Sequence, residues 1–276
     1  MNDRPIGIFD SGLGGLTSLR TLHRLLPEEN IVCFADTGRC PYGEKSSAQL
    51  RTMAVQNLRF LSSFNVKAIL VACGTLSANA ADLLDAWHVP AIGVLRPTVA
   101  ALRQLPGTGP LAVIATEASI RSGGFQRAVR AACPGREVLA LACPEFVPLI
   151  ESGHFHADDP LLRESVSRTL APLQSVRPSA LVLGCTHYGV IAAAISDFLG
   201  PELPLIHAAD CGAEAICSLL QASGETGGRG EIRYYTSGDA ESFSEKAALL
   251  LGGAPSAYPA VSVPPAVIPE FLQAGE

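Results

Sequence analysis

Apolar residues fall along this chain in two rhythms. Short continuous runs recur near residues 5–9 (PIGIF), 31–34 (IVCF), 67–72 (KAILVA), 90–94 (PAIGV), 110–115 (PLAVIA), 137–142 (EVLALA), 179–184 (SALVLG), 203–206 (LPLI) and 231–236 (EIRYYT). Between them lie amphipathic windows such as 44–63 and 159–173. Runs apolar on every residue predict strands buried on both faces. Their alternation with helices predicts parallel sheets covered on both sides, an α/β fold. In such sheets ligands bind beyond the carboxyl ends of the strands, so chemistry is sought there.

Two strand ends look alike. AILVACGT (68–75) and ALVLGCTH (180–187) each run apolar and then deliver a cysteine. Each follows, at a similar interval, a strand that ends on a polar residue, Asp10 in one case and Thr116 in the other. Any two buried strands share some likeness. The alternative is an internal repeat, with two similar lobes that each offer one cysteine to a cleft between them. On that reading residues 1–95 and 209–276 form a discontinuous first lobe and 96–208 the second. The tail, with EIRYYT and ESFSEKAALLLG, completes the first; the stretch 253–268, rich in Pro, Ala and Val, carries no assignment.

Composition narrows the class. The chain has 276 residues, 48% apolar and 17% charged, which describes a compact globular protein of one or two domains. A net charge of −6 without blocks of like charge argues against a nucleic-acid surface. No leader is read at MNDRP and no run of about 18 apolar residues occurs, so the expectation is a cytoplasmic protein without membrane contact. The eight cysteines include no CxxC pair and are expected to be reduced thiols. Cys185 and His187 alone are too few for a zinc site, and no metal is expected.

IGIFDSGLGGLTSL (6–19) puts a carboxylate at the mouth of a glycine loop. GLGG (12–15) fits neither the dinucleotide fingerprint nor a Walker loop. Glycines still admit a ligand close to the backbone, and the following helix start offers amide donors that suit a carboxylate. Asp10 would then pair with a cationic group on the same ligand or handle a proton, and a small ligand with both charges is an amino acid. The alternative is Asp10 as a helix N-cap. FADTGRCPYG (34–43) reads as a rigid turn presenting amides and the Tyr42 phenol, or as an ordinary tight turn.

A free thiol titrates at about 8.5, and at a helix start or beside a cation it falls to roughly 3.5–7.5. Cys73 and Cys185 are both expected where a strand turns into a helix. Asp10 is within reach of Cys73 if the lobe folds as read; His187 lies two residues from Cys185, and Glu151 could orient it. Two thiols facing one carbon allow one to take a proton while the other returns one to the opposite face, which is racemisation by two bases. Positioned acid/base groups contribute about 10²–10⁴-fold. Lys45, Lys67 and Lys246 are the only lysines and none has a pyridoxal-phosphate setting, so a cofactor-free route is favoured.

With GIFDSGLGGLT, ADTGRCPYG, VACGTLSANA, CPEFVPLIESG and LVLGCTHYGVI in this order, the chain resembles the bacterial glutamate racemases of the cofactor-independent aspartate/glutamate racemase superfamily. The resemblance implies that Cys73 and Cys185 are the acid/base catalysts, assisted by Asp10, His187 and Glu151. It implies substrate contacts from Ser11, Tyr42, Gly43, Thr75 and Thr186. It also implies a homodimer and a role in supplying D-glutamate for peptidoglycan. Departures stand at Gly74, where Cys-Asn-Thr is usual and only a backbone amide remains, and at Cys40, where an aliphatic residue is usual. Others are Ser119 for a threonine and Ile206-His207-Ala208 for Ile-Asp-Ser. Losing the side-chain amide would forfeit about 1.5–3 kcal/mol of hydrogen bonding to a charged group. Gly74 therefore keeps open a racemase or isomerase of aspartate or another small dicarboxylate, and a binding homologue without turnover. A thiol hydrolase built on Cys185 and His187 is a weaker rival.

Overall fold

The computed structural model describes residues 2–263. Ten strands are seen among them: β1 (Ile6–Asp10), β2 (Ile31–Ala35), β3 (Ala68–Val71), β4 (Ala91–Gly93), β5 (Leu111–Ala115), β6 (Val138–Ala142), β7 (Ala180–Leu183), β8 (Leu205–His207), β9 (Ile232–Thr236) and β10 (Ala260–Ser262). Each of the nine apolar runs became a strand, and every backbone ladder is parallel. β10 was not anticipated. It is three residues on an exposed edge, too short for its pattern to stand out from the Pro-rich stretch around it.

The strands form two sheets, ordered β10-β9-β2-β1-β3-β4 and β6-β5-β7-β8. Four strands of the first sheet, β2-β1-β3-β4, and all four of the second have the same order. β1 sits between β2 and β3 as β5 sits between β6 and β7. The equivalence extends past the strands, because Ala72 N–H donates to Phe9 O and Gly184 N–H donates to Ile114 O, both at 2.8 Å. Two similar α/β lobes result, and Cys73 and Cys185 leave equivalent strands.

β9 and β10 return late in the chain to the outer side of β2, with Ile232 opposite Ile31. Of the tail assigned to the first lobe, residues 264–276 lie outside the described residues.

Helices cover both faces. α1 (Gly15–Leu25) packs Leu16, Leu19 and Leu22 against the inner face of the first sheet. α2 (Ser47–Ser62) covers the other face with Leu50, Leu58 and Leu61. Its start is a capping box, in which Ser46 Oγ accepts Gln49 N–H and Gln49 Oε1 accepts Ser46 N–H. The second amphipathic window became the helix Pro160–Val176, with Asp159 accepting the Leu161 and Leu162 amides and Pro160 in the first turn. α3 (Gly74–Asn79) starts directly after Cys73. Cys185 departs from its counterpart: it leads into a single 3-10 turn, Thr186–Gly189, rather than an α-helix. Among the described residues no helix is long and apolar enough to cross a membrane.

Candidate active site

The carboxyl ends of the two sheets face each other across a cleft with about 620 Å³ of unfilled space, part of it open to solvent. Cys73, Gly74 and Thr75 line it from the first lobe, and Cys185, Thr186 and His187 from the second. Ser11 and the Tyr42–Gly43 turn complete the first-lobe side, and Thr116 stands across from Thr75. The residues that carry the repeat are therefore brought together. The hydroxyls of Thr75 and Thr116 meet at 2.9 Å across the lobe boundary, and Ser119 bonds Thr116 at 2.9 Å behind them.

The two thiols have different surroundings. Cys73 Sγ is 3.5 Å from Ser11 Oγ. Burial, with the Asp10 charge nearby, pushes its thiol up to about 12. A helix start was expected to draw a thiol down; here removal from water outweighs α3's one turn and a half. Cys185 Sγ lies 3.7 Å from His187 Nδ1, and His187 Nε2 is 2.8 Å from Glu151 Oε1. Glu151 also accepts the Leu13 N–H at 3.1 Å and has Lys246 Nζ at 3.8 Å. Burial works against the imidazolium, yet the bonds to Cys185 and Glu151 hold His187 well above the usual histidine range. Burial likewise opposes the Glu151 carboxylate, and His187, the Leu13 amide and Lys246 still bring it below its usual range.

Asp10 is placed differently from the expectation. It is 1% exposed and makes no hydrogen bond with Cys73. Its carboxylate accepts from Thr186 Oγ1 at 3.1 Å, from Gly12 N–H at 3.0 Å and from the Gly15 amide at the start of α1. Asp10 is nevertheless not the helix N-cap, which is Gly14 and carries no side-chain cap bond. Burial raises its carboxyl, opposed by the His187 charge. Its hydrogen bond into the cleft wall is the one to Thr186, and its charge acts on Cys73.

The glycine loop also answers to a different need. A Cβ on Gly14 would lie 2.3 Å from Thr186 Oγ1 and 2.6 Å from His187 Nδ1, and one on Gly12 would lie 2.6 Å from Glu151 Oε1. Gly12 and Gly14 are bare where the second lobe rests on the loop backbone, and a Cβ on Gly15 would meet Asp10 Cβ at 2.5 Å.

Tyr42 needs the same correction. Its ring is buried and its hydroxyl donates to Asp36, while Asn57 Nδ2 donates to it at 3.0 Å. Asp36 is fully buried and also takes Arg39 Nε at 2.7 Å and Ser237 Oγ at 2.5 Å. The turn is held from beneath by this network, and the Tyr42 phenol is not free for a ligand.

Two cysteines in the cleft wall, Cys40 and Cys143, went unrecognised as site residues. Burial raises both thiols. Cys143 follows β6 directly, one residue past the strand, where Cys73 and Cys185 each stand two residues past theirs. Among the described residues no group of three or more His, Cys, Asp or Glu side chains is placed to hold a metal ion.

The profile of the Asp/Glu/hydantoin racemase family matches residues 16–216, and a glutamate racemase from Lactococcus lactis subsp. lactis is 38% identical over 252 residues, 89% of this chain and 91% of the relative. The chain belongs to the Asp/Glu/hydantoin racemase family, in its glutamate racemase branch. Solved relatives share the two-lobe fold. A glutamate racemase isoform from Bacillus anthracis superposes with a TM-score of 0.89 at 30% identity, covering 97% of this chain and 100% of its own. The Francisella tularensis enzyme in complex with D-glutamate gives 0.86 at 32%, covering 95% and 98%.

Proposed function

We propose that this racemase interconverts L- and D-glutamate without a cofactor, with Cys73 and Cys185 as the two acid/base catalysts. The observation that supports it most is the delivery of these two cysteines, from equivalent strands of two lobes, to opposite sides of one cleft. In each turnover one sulfur, as thiolate, takes the Cα proton, and the electron pair stays on the substrate as a carbanion. The other, as thiol, gives its proton to the opposite face. The enzyme ends with the two protonation states exchanged, and the return passage restores them.

The surroundings suit this exchange. The imidazolium of His187, 3.7 Å from Cys185, is a proton donor and counter-charge for that sulfur. Glu151 orients His187, and Asp10 positions Thr186. The hydroxyls of Ser11, Thr75 and Thr116, with the amides of Gly43 and Gly74, are the donors available to substrate carboxylates, while the Thr186 hydroxyl is spent on Asp10. Oriented binding and exclusion of water supply what acid/base catalysis does not. D-Glutamate made in this way would serve peptidoglycan synthesis in the cytoplasm, and the working form would be a homodimer.

The test is incubation of the purified protein with L-glutamate in deuterium oxide, with no cofactor added. D-Glutamate carrying deuterium at Cα is expected. Absence of both the D-isomer and Cα deuterium overturns the reading, and a panel with aspartate and other small dicarboxylates separates glutamate from the substrates that Gly74 keeps open.

A further inference from the structure

The floor of the cleft is a contact between two backbones. A Cβ built on Gly74 would lie 2.0 Å from the carbonyl oxygen of Gly184 and 3.1 Å from its carbonyl carbon. Both are main-chain atoms, so no rotation of a side chain relieves the overlap. Each partner is held to its own sheet, so the overlap is relieved only by moving the two turns apart. Gly184 continues the β5–β7 ladder through its N–H to Ile114 O at 2.8 Å. The Gly74 turn is anchored on both sides, by Ala72 N–H to Phe9 O at 2.8 Å and Ser77 N–H to Cys73 O at 3.0 Å. Cys73 immediately precedes this contact on one side and Cys185 immediately follows it on the other.

We infer that Gly74 is a positioning residue for the pair of thiols: its bare Cα lets the two catalytic turns meet backbone to backbone and so sets the separation of Cys73 and Cys185. This rests on the two-cysteine reading above. It also changes the meaning of the departure at this position. An amide is not simply missing from the cleft; the space its side chain would leave by is filled by the Gly184 carbonyl. Bringing a Cβ from 2.0 Å to an ordinary contact of 3.4 Å moves the turns apart by about 1.4 Å. A displacement of about 1 Å at reacting groups costs on the order of 10²-fold in rate. Ser11 and Thr75 move with Cys73, so a substrate held from that lobe keeps those donors while Cys185 is carried out of range, and turnover suffers more than binding.

The experiment compares wild type, Gly74→Ala and Gly74→Asn for kcat and KM with L-glutamate, alongside thermal melting. Both variants are expected to melt cooperatively, with kcat down about 100-fold and KM within about threefold, and Gly74→Asn no better than Gly74→Ala. A folded Gly74→Ala or Gly74→Asn with kcat within about threefold of wild type overturns the inference, as does Gly74→Asn lowering KM at wild-type kcat. If Gly74→Asn does not fold, Gly74→Ala decides. Loss of cooperative melting in Gly74→Ala also overturns it, since the glycine would then serve the fold and not the thiol spacing. A wild type that leaves glutamate unchanged instead defeats the functional reading on which the inference rests.

Discussion

Glu151→Gln isolates the charge behind the cysteine–histidine pair. Glutamine preserves the shape and an oxygen for the Leu13 amide but removes the counter-charge of His187, whose side chain is 2% exposed. A hydrogen bond to a charged group contributes about 1.5–3 kcal/mol. At 1.36 kcal/mol per decade, that loss weakens proton binding by His187 about 10- to 150-fold. His187 is raised in the folded protein, so its contribution to stability is present below the ordinary histidine range and lost as pH rises through the raised value. Glu151 is lowered, so its contribution is present above the ordinary glutamate range and lost as pH falls through the lowered value. The wild-type pair therefore supports both fold and site between those limits. In the variant the alkaline limb of the kcat profile is expected to move about one to two pH units toward acid. The assay is D-glutamate formation across pH 6–10, read by chiral chromatography. Because the enantiomers are equally stable, kcat/KM has to change equally in both directions, a check on the data. An unmoved alkaline limb with wild-type kcat would refute the claim that Glu151 acts through His187.

Cys73→Ala and Cys185→Ala are each expected to lower kcat by about 10²–10⁴-fold while the protein stays folded; wild-type turnover by either, measured in both directions, would end the two-base account. Asp36→Asn removes the charge beneath the Tyr42–Gly43 turn, bound by Arg39 at 2.7 Å and Ser237 at 2.5 Å. It should destabilise the protein by about 1.5–3 kcal/mol and raise KM, seen in denaturant unfolding and steady-state kinetics. Lys67→Met removes the cation from a 2.6 Å ion pair with Glu29 whose side chains are 1% and 2% exposed, leaving the buried carboxylate only the Gly227 amide among the described residues. A loss of about 3–5 kcal/mol is expected in unfolding experiments. The pair lies at the amino end of β3, away from the cleft, so kcat of the folded variant at moderate temperature should match wild type.

Local pattern determined much of this protein. Nine strands were legible because a strand buried on both faces must be apolar at every position, a demand each segment meets by itself. Strand ends pointed to Cys73 and Cys185 for the same reason, and the two-residue spacing to Cys185 added His187, with Glu151 as the carboxylate that could orient it. The tertiary structure alone decided what depends on how the lobes meet. Gly12 and Gly14 are bare because Glu151, Thr186 and His187 rest on them. Asp10 hydrogen-bonds Thr186 and not Cys73, and the Tyr42 hydroxyl turns down to Asp36. Cys143 joins the cleft wall only once the second sheet faces the first. Periodicity reports burial within one layer of packing. Complementarity between surfaces from segments more than a hundred residues apart leaves no periodic trace, because each side is shaped by the other and not by its neighbours in the chain.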